Sequence, residues 1–206
     1  MSLSNVSILL DQETIPGEVE KFFGDISSEV ERHRTKVPAG YRGFVPSNYR
    51  KLYSVLRLIE RNRLTCGMKF CEWGSGIGIA TMIASMVGFE AHGIEIDAGL
   101  VEVAEGLIHE HGLAVNIVCG SFVPEGVDDL IDLAFAENDG SISMVTEAVD
   151  GYSELGLEID EFDIVFCFPW PTDETLTAEI FDRCASTGAL LLTYDEMNGF
   201  SLRRKD

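Results

Sequence analysis

The chain reads as an α/β protein: a doubly wound, mainly parallel sheet with an N-terminal helical extension and a shortened C-terminal end. Three observations predict this. From residue 67 onward, short apolar strands alternate with helical stretches, the pattern of parallel strands joined by right-handed crossovers. The strands are apolar along their length, as in Leu190-Leu191-Leu192, which suits a sheet covered on both faces. The first of them runs directly into three alternating glycines, Gly74, Gly76 and Gly78, at the start of a helix.

Residues 1–66 form the extension. Val19, Phe22, Phe23, Ile26 and Val30 recur at helical spacing and predict a helix over 17–34. Pro38, Gly40, Gly43 and Pro46 mark a loop, and its 40–46 stretch, with Tyr41, Arg42 and the following Tyr49, suits either a mobile lid or a plain linker. Ser47 is placed to cap a second helix with Tyr49, Leu52, Val55, Leu56 and Ile59 on one face.

The α/β core spans 67–206. Strands are expected at 68–73, 90–96, 115–119, 163–168 and 189–194, with one more near 200–204. Helices are expected at 78–86, after an Asp97 cap as far as Gly112, and from a Thr172 cap to Cys184. Residues 123–162 are acid-rich and weakly patterned around an Asp139-Gly140 turn. They predict a short helix near 127–135 and an irregular insert.

With 206 residues, 46 % hydrophobic and 24 % charged, the chain can bury a full core. No apolar run is long enough for a membrane span, and the start has no basic region of a signal peptide. Five cysteines, an odd number without C-x-x-C spacing, read as reduced thiols of a cytoplasmic protein, three of them in buried strands. His109 and His111 point apart on a helix, so no metal site is expected. The net charge is −20, but residues 32–63 hold nine basic residues against one acid, a net +8, which leaves −28 on the rest. That segment reads as solvated helix faces or as a docking surface for an acidic or phosphorylated substrate. The surplus of acid elsewhere disfavours nucleic acid and anionic membrane.

The chemistry is expected at the carboxyl ends of the strands. Glu72 closes the first strand, two residues before Gly74, and is placed to hold a cationic amine. Glu95, in Gly93-Ile94-Glu95-Ile96, closes the second and can accept hydrogen bonds from both hydroxyls of a ribose. A dinucleotide fingerprint would put a glycine where Ile79 stands, and Glu72 would repel a pyrophosphate. The pair fits a phosphate-free nucleoside with a cationic end, for which S-adenosylmethionine is the best candidate.

Residues 68–122 resemble the cofactor half of the class I, Rossmann-like S-adenosylmethionine-dependent methyltransferases. Glu72-x-Gly74-x-Gly76-x-Gly78 is similar to their first motif and Gly93-Ile94-Glu95 to their second. The resemblance implies S-adenosylmethionine as cofactor, held by Glu72, Trp73, Gly74, Ser75, Gly76 and Gly78 at its methionine part and by Glu95 at its ribose, with Ile96 as a further cofactor-binding residue. Ser121 and Phe122 stand where the family contacts adenine, although Ser121 replaces the usual Asp or Asn. Phe168-Pro169-Trp170-Pro171 stands where amine methyltransferases carry Asn/Asp-Pro-Pro-aromatic, and this makes Pro169 and Trp170 the candidate catalytic residues of an acceptor pocket. Trp170 otherwise reads as a packed strand exit. Asp173 and Glu174 are candidate bases, or plain helix-start acids. A methyltransferase acting on a small molecule or protein rather than nucleic acid is expected. The alternatives are a cofactor-binding or regulatory module without activity and an NAD-linked oxidoreductase.

Overall fold

The computed structural model of the chain describes residues 3–9, 14–34, 45–138, 142–146, 148–170 and 172–206. Tyr41, Arg42, the glycines of the expected lid, Asp139-Gly140 and Pro171 lie outside the described residues.

Continuous apolar strands place β2 (Lys69–Trp73) at the centre of a sheet, buried from Phe70 onward. It pairs in parallel with β3 (Glu90–Glu95) on one side and β5 (Ile164–Cys167) on the other. Beyond β3 lies β4 (Val115–Cys119); beyond β5 lie β6 (Leu190–Asp195) and the antiparallel β7 (Gly199–Lys205). β1 (Leu3–Asn5) adds to β7, with Leu3 opposite Lys205, so the order among the described residues is β1-β7-β6-β5-β2-β3-β4. The chain therefore reverses its direction of winding between β2 and β5. The crevice above that switch point is where such sheets bind ligands.

Strand alternation sorts the core onto two faces. Phe70, Ile164, Phe166, Leu190 and Leu192 pack with α1 (Gly17–Arg34), α2 (Tyr49–Arg61) and α3 (Ile79–Val87), through Phe22, Ile26, Leu56, Ile59 and Ile83. α4 (Ala98–His111) joins this face through Leu107, while its Val101 and Ala104 cover Ile117. Cys71, Trp73, Val165 and Leu191 face the other way, onto α5 (Asp128–Glu137), α6 (Gly151–Leu155) and α7 (Glu174–Cys184), through Ala134, Tyr152, Ile180 and Phe181. A core truncation such as Phe166→Ala would cost about 3–5 kcal/mol.

Several local expectations shift. The cap of α2 is Asn48, one residue after Ser47, and its Oδ1 accepts from Lys51 N at 3.1 Å. α7 is preceded by Asp173, not capped by Thr172, and the Asp173 carboxylate makes no bond to its own helix. Cys71 and Cys167 are buried as expected, but Cys119 is exposed because β4 forms the edge of the sheet. The insert carries α5, α6 and a 3-10 turn at Ile159–Glu161, more regular than its weak pattern predicts. β1 is absent from the expected strands. Its three residues carry no period of their own and are held by pairing with β7 and by Leu3 packing on the core.

Candidate functional site

At the carboxyl ends of β2, β3, β5 and β6 lies a cavity of about 1200 Å³. The alternation that buries Phe70 under α2 and α3 sends Glu72 to the same face. There Thr81, on the first turn of α3, donates to Glu72 Oε2 from its amide at 2.9 Å and from its hydroxyl at 2.5 Å. Among the described residues Glu72 makes no ion pair. Burial raises its pKa to about 8, against the lowering by the two Thr81 bonds. The phenol of Tyr49 is pushed well above its usual range, first by burial and then by the Glu72 carboxylate.

The glycine turn sits between the two acids. Gly74, Gly76 and Gly78 all have positive φ, 71°, 55° and 76°, a backbone that a side chain would strain. The turn lies on β3 because Gly93 has no Cβ: one built there would stand 2.9 Å from Ser75 Cβ and Oγ. Glu95 grips the turn from the next strand tip, with Oε2 accepting from Gly76 N at 2.7 Å and Oε1 from Asp97 N at 3.0 Å. Burial raises the Glu95 pKa, and the amides of Asp97 and Gly76 oppose that rise. The amide of Ile96 also acts on this carboxylate.

Glu72, Trp73, Gly74, Ser75, Gly76, Glu95, Ile96, Ser121, Phe122, Pro169 and Trp170 all line this one cavity. Gly78 does not. A Cβ there would come within 2.4 Å of Ile117 Cδ1 and 3.2 Å of Ala104 Cβ, so this third glycine lets α3 and α4 close over β4. Ser121 is occupied by the protein itself: its Oγ donates to Val145 O at 2.6 Å and accepts from Val123 N at 3.1 Å. The Phe122 ring stacks on Trp73, with centroids 5.3 Å apart and planes 9° from parallel. Trp170 is 40 % exposed, a wall rather than a packed exit. Phe168 packs edge-on against Tyr194 at 5.0 Å and offers no polar acceptor before the proline.

Sequence reasoning misses the two Thr81 bonds and the whole loop side of the cavity. Ser143, Met144 and Val145 of the insert line it, as do Asp195 at the end of β6 and Glu196 and Met197 of the β6–β7 turn. Thr81 has a legible signal, since the first turn of the next helix must face the end of the preceding strand; the insert has none. Among the described residues no Lys or Arg lines the cavity, while Glu72, Glu95, Asp97, Asp173, Asp195 and Glu196 do. In the basic segment, Arg32, Arg50 and Arg57 pair with Glu29, Glu20 and Glu60 on the helix faces. No helix among the described residues is long and apolar enough to cross a membrane.

No protein-family model matches the sequence, and no curated protein matches it significantly. Solved structures do match. An RNA methyltransferase from Salinibacter ruber, in complex with S-adenosyl-L-homocysteine, superposes with a TM-score of 0.52 at 19 % identity, over 78 % of this chain and 92 % of the other. A methyltransferase from Geobacter sulfurreducens gives 0.51 at 18 % identity, over 94 % and 92 %. With its switch point, strand order and glycine turn, the chain has the Rossmann-like fold of the class I S-adenosylmethionine-dependent methyltransferases.

Proposed function

We propose that the protein is an S-adenosylmethionine-dependent methyltransferase. One observation carries this reading: carboxylates from two neighbouring strand tips, Glu72 and Glu95, line one cavity on either side of a positive-φ glycine turn, with no Lys or Arg lining it among the described residues. Among the described residues a phosphate-bearing cofactor would meet acids and no Lys or Arg to pair with, whereas a cationic nucleoside meets what it needs. Glu72 would take the ammonium, supported by Thr81. Glu95 would take the ribose hydroxyls, and Ile96, 42 % exposed, offers an apolar surface for the base. Bound S-adenosylmethionine supplies an electrophilic methyl group; the protein's part is to orient it, hold water out and take up a proton.

Residues 1–66 act in this reading as an extension that covers the site, since His33, Val45, Ser47 and Tyr49 line the cavity. The five cysteines are free thiols, as a reducing compartment keeps them, and we place the protein in the cytoplasm. A second reading, a cofactor-binding module without chemistry, draws on one observation: the Phe168 ring occupies the position of the amide or carboxylate acceptor that the resemblance would supply.

Calorimetry with S-adenosylmethionine, S-adenosylhomocysteine, NAD and NADP tests the proposal. The first two should bind, the dinucleotides should not, and Glu95→Ala should weaken S-adenosylmethionine about tenfold or more. Binding of NAD alone, or an unchanged affinity in Glu95→Ala, overturns the assignment.

A further inference from the structure

The cavity exceeds the ~300–1,000 Å³ that usually enclose one drug-sized ligand, and its end away from the glycine turn has a chemistry of its own. Phe168, Pro169 and Trp170 leave β5 along one side of it. Asp173 at the start of α7 stands beside them, Asp195 ends β6 and Glu196 begins the turn to β7. Trp170 presents an indole that is 40 % exposed.

Asp173 is the decisive group. It is 2 % exposed, yet its partners are weak. Ser143 N splits one proton between the two oxygens at 3.2 and 3.1 Å, and Thr172 Oγ1 reaches Oδ1 at 3.2 Å. Among the described residues it forms no ion pair, and no Lys or Arg lines the cavity. A buried carboxylate with long bonds and, among the described residues, no counter-ion favours a cationic ligand that balances it. An aromatic face alongside stabilises the same kind of charge. An anionic or phosphate-bearing acceptor would meet repulsion from three carboxylates.

We propose that the acceptor is a cationic amine, methylated on nitrogen, with its charge held between Asp173 and the Trp170 indole. The inference rests on the methyltransferase reading and names the acceptor class for that same site. The ammonium form gives up one proton to the Asp173 carboxylate. The freed lone pair forms the new N–C bond as the S–C bond breaks, and the electrons of that bond stay on sulfur as a neutral thioether. The methylated amine regains a positive charge, which the indole face and the surrounding acids favour. Asp173 later releases its proton to solvent.

The test uses the full chain saturated with S-adenosylhomocysteine and titrated calorimetrically with 1,4-diaminobutane, a lysine-bearing peptide, a catechol and a short RNA. A parallel incubation with S-adenosylmethionine is read by mass for a gain of one methyl group. At least one amine should bind and gain the methyl; the diamine and peptide arms distinguish a free amine from a protein side chain. Asp173→Asn should weaken amine binding about tenfold, with S-adenosylhomocysteine affinity unchanged. Trp170→Ala, at an exposed position where folding is not at stake, should weaken it severalfold. Failure of both amines to bind the loaded protein, or a methyl found only on catechol or RNA, overturns the proposal and leaves the methyltransferase reading standing. Failure of S-adenosylhomocysteine to bind removes that reading, and this one with it.

Discussion

The two ends of the cavity are built in different ways. At the glycine end every group stands on a strand tip or the first turn of a helix: Glu72 on β2, Glu95 on β3 and Thr81 on α3, fixed by bonds of 2.5–3.0 Å. At the far end the walls are loops. Ser143–Val145 come from the insert and Glu196 and Met197 from a hairpin turn, beside Asp195 at the tip of β6, and the bonds of Asp173 are 3.1–3.2 Å long. The first arrangement resists change because the sheet holds it. The second can vary without disturbing the core. A shared cofactor and varied acceptors would produce this division of labour.

Four experiments test this contrast. The largest effect is expected from Glu72→Gln, which removes a buried charge aimed at a cationic ligand: S-adenosylmethionine should bind about 100-fold more weakly at pH 8, roughly 3 kcal/mol. An unchanged affinity would mean that the strand-tip end is not the cofactor end. The second is a pH effect on the ligand-free protein. Glu72 titrates near 8 in the folded state against 4.5 for a glutamate free in water, so the folded state holds the proton more tightly and stability falls as pH rises between those values. Between pH 6 and 8 the loss should be about 2 kcal/mol in urea unfolding. It should vanish in Glu72→Gln, and cofactor affinity should rise over the same interval as binding expels the proton.

The third is Gly93→Ala, which pushes a methyl into Ser75 at 2.9 Å. It should cost about 1–2 kcal/mol of stability and weaken the cofactor as the turn shifts. The smallest is Ser121→Ala at the loop side, about 1 kcal/mol from the lost bond to Val145 O, with S-adenosylhomocysteine affinity changed less than about threefold. A larger fall in affinity would show that the hydroxyl touches the ligand after all.

What the sequence reveals follows the same line. Parallel strands buried on both faces, the glycine turn and the acids at strand ends are local patterns, and β2, β3 and β4 fall within a residue or two of their expected positions. Glu72 and Glu95 can be paired from sequence because the β2–β3 register fixes where the strand tips lie. Gly78 cannot be assigned, since a ligand-binding glycine and a packing glycine look alike until Ile117 and Ala104 are in place. Ser121 looks free because Val145 is 24 residues away, in an insert without periodicity. Asp173 looks like a routine helix-start acid because nothing nearby in sequence announces Ser143 N.

Ser143 and Val145 are moored at opposite shores. Val145 O is tied to Ser121, which shares the cavity lining with Ile96, and Ser143 N is tied to Asp173, which shares it with Trp170. One short span of backbone is thus a party wall between the two ends of the cavity. A rearrangement of that wall would be shared by both ends, and any influence it carried would be equal in both directions.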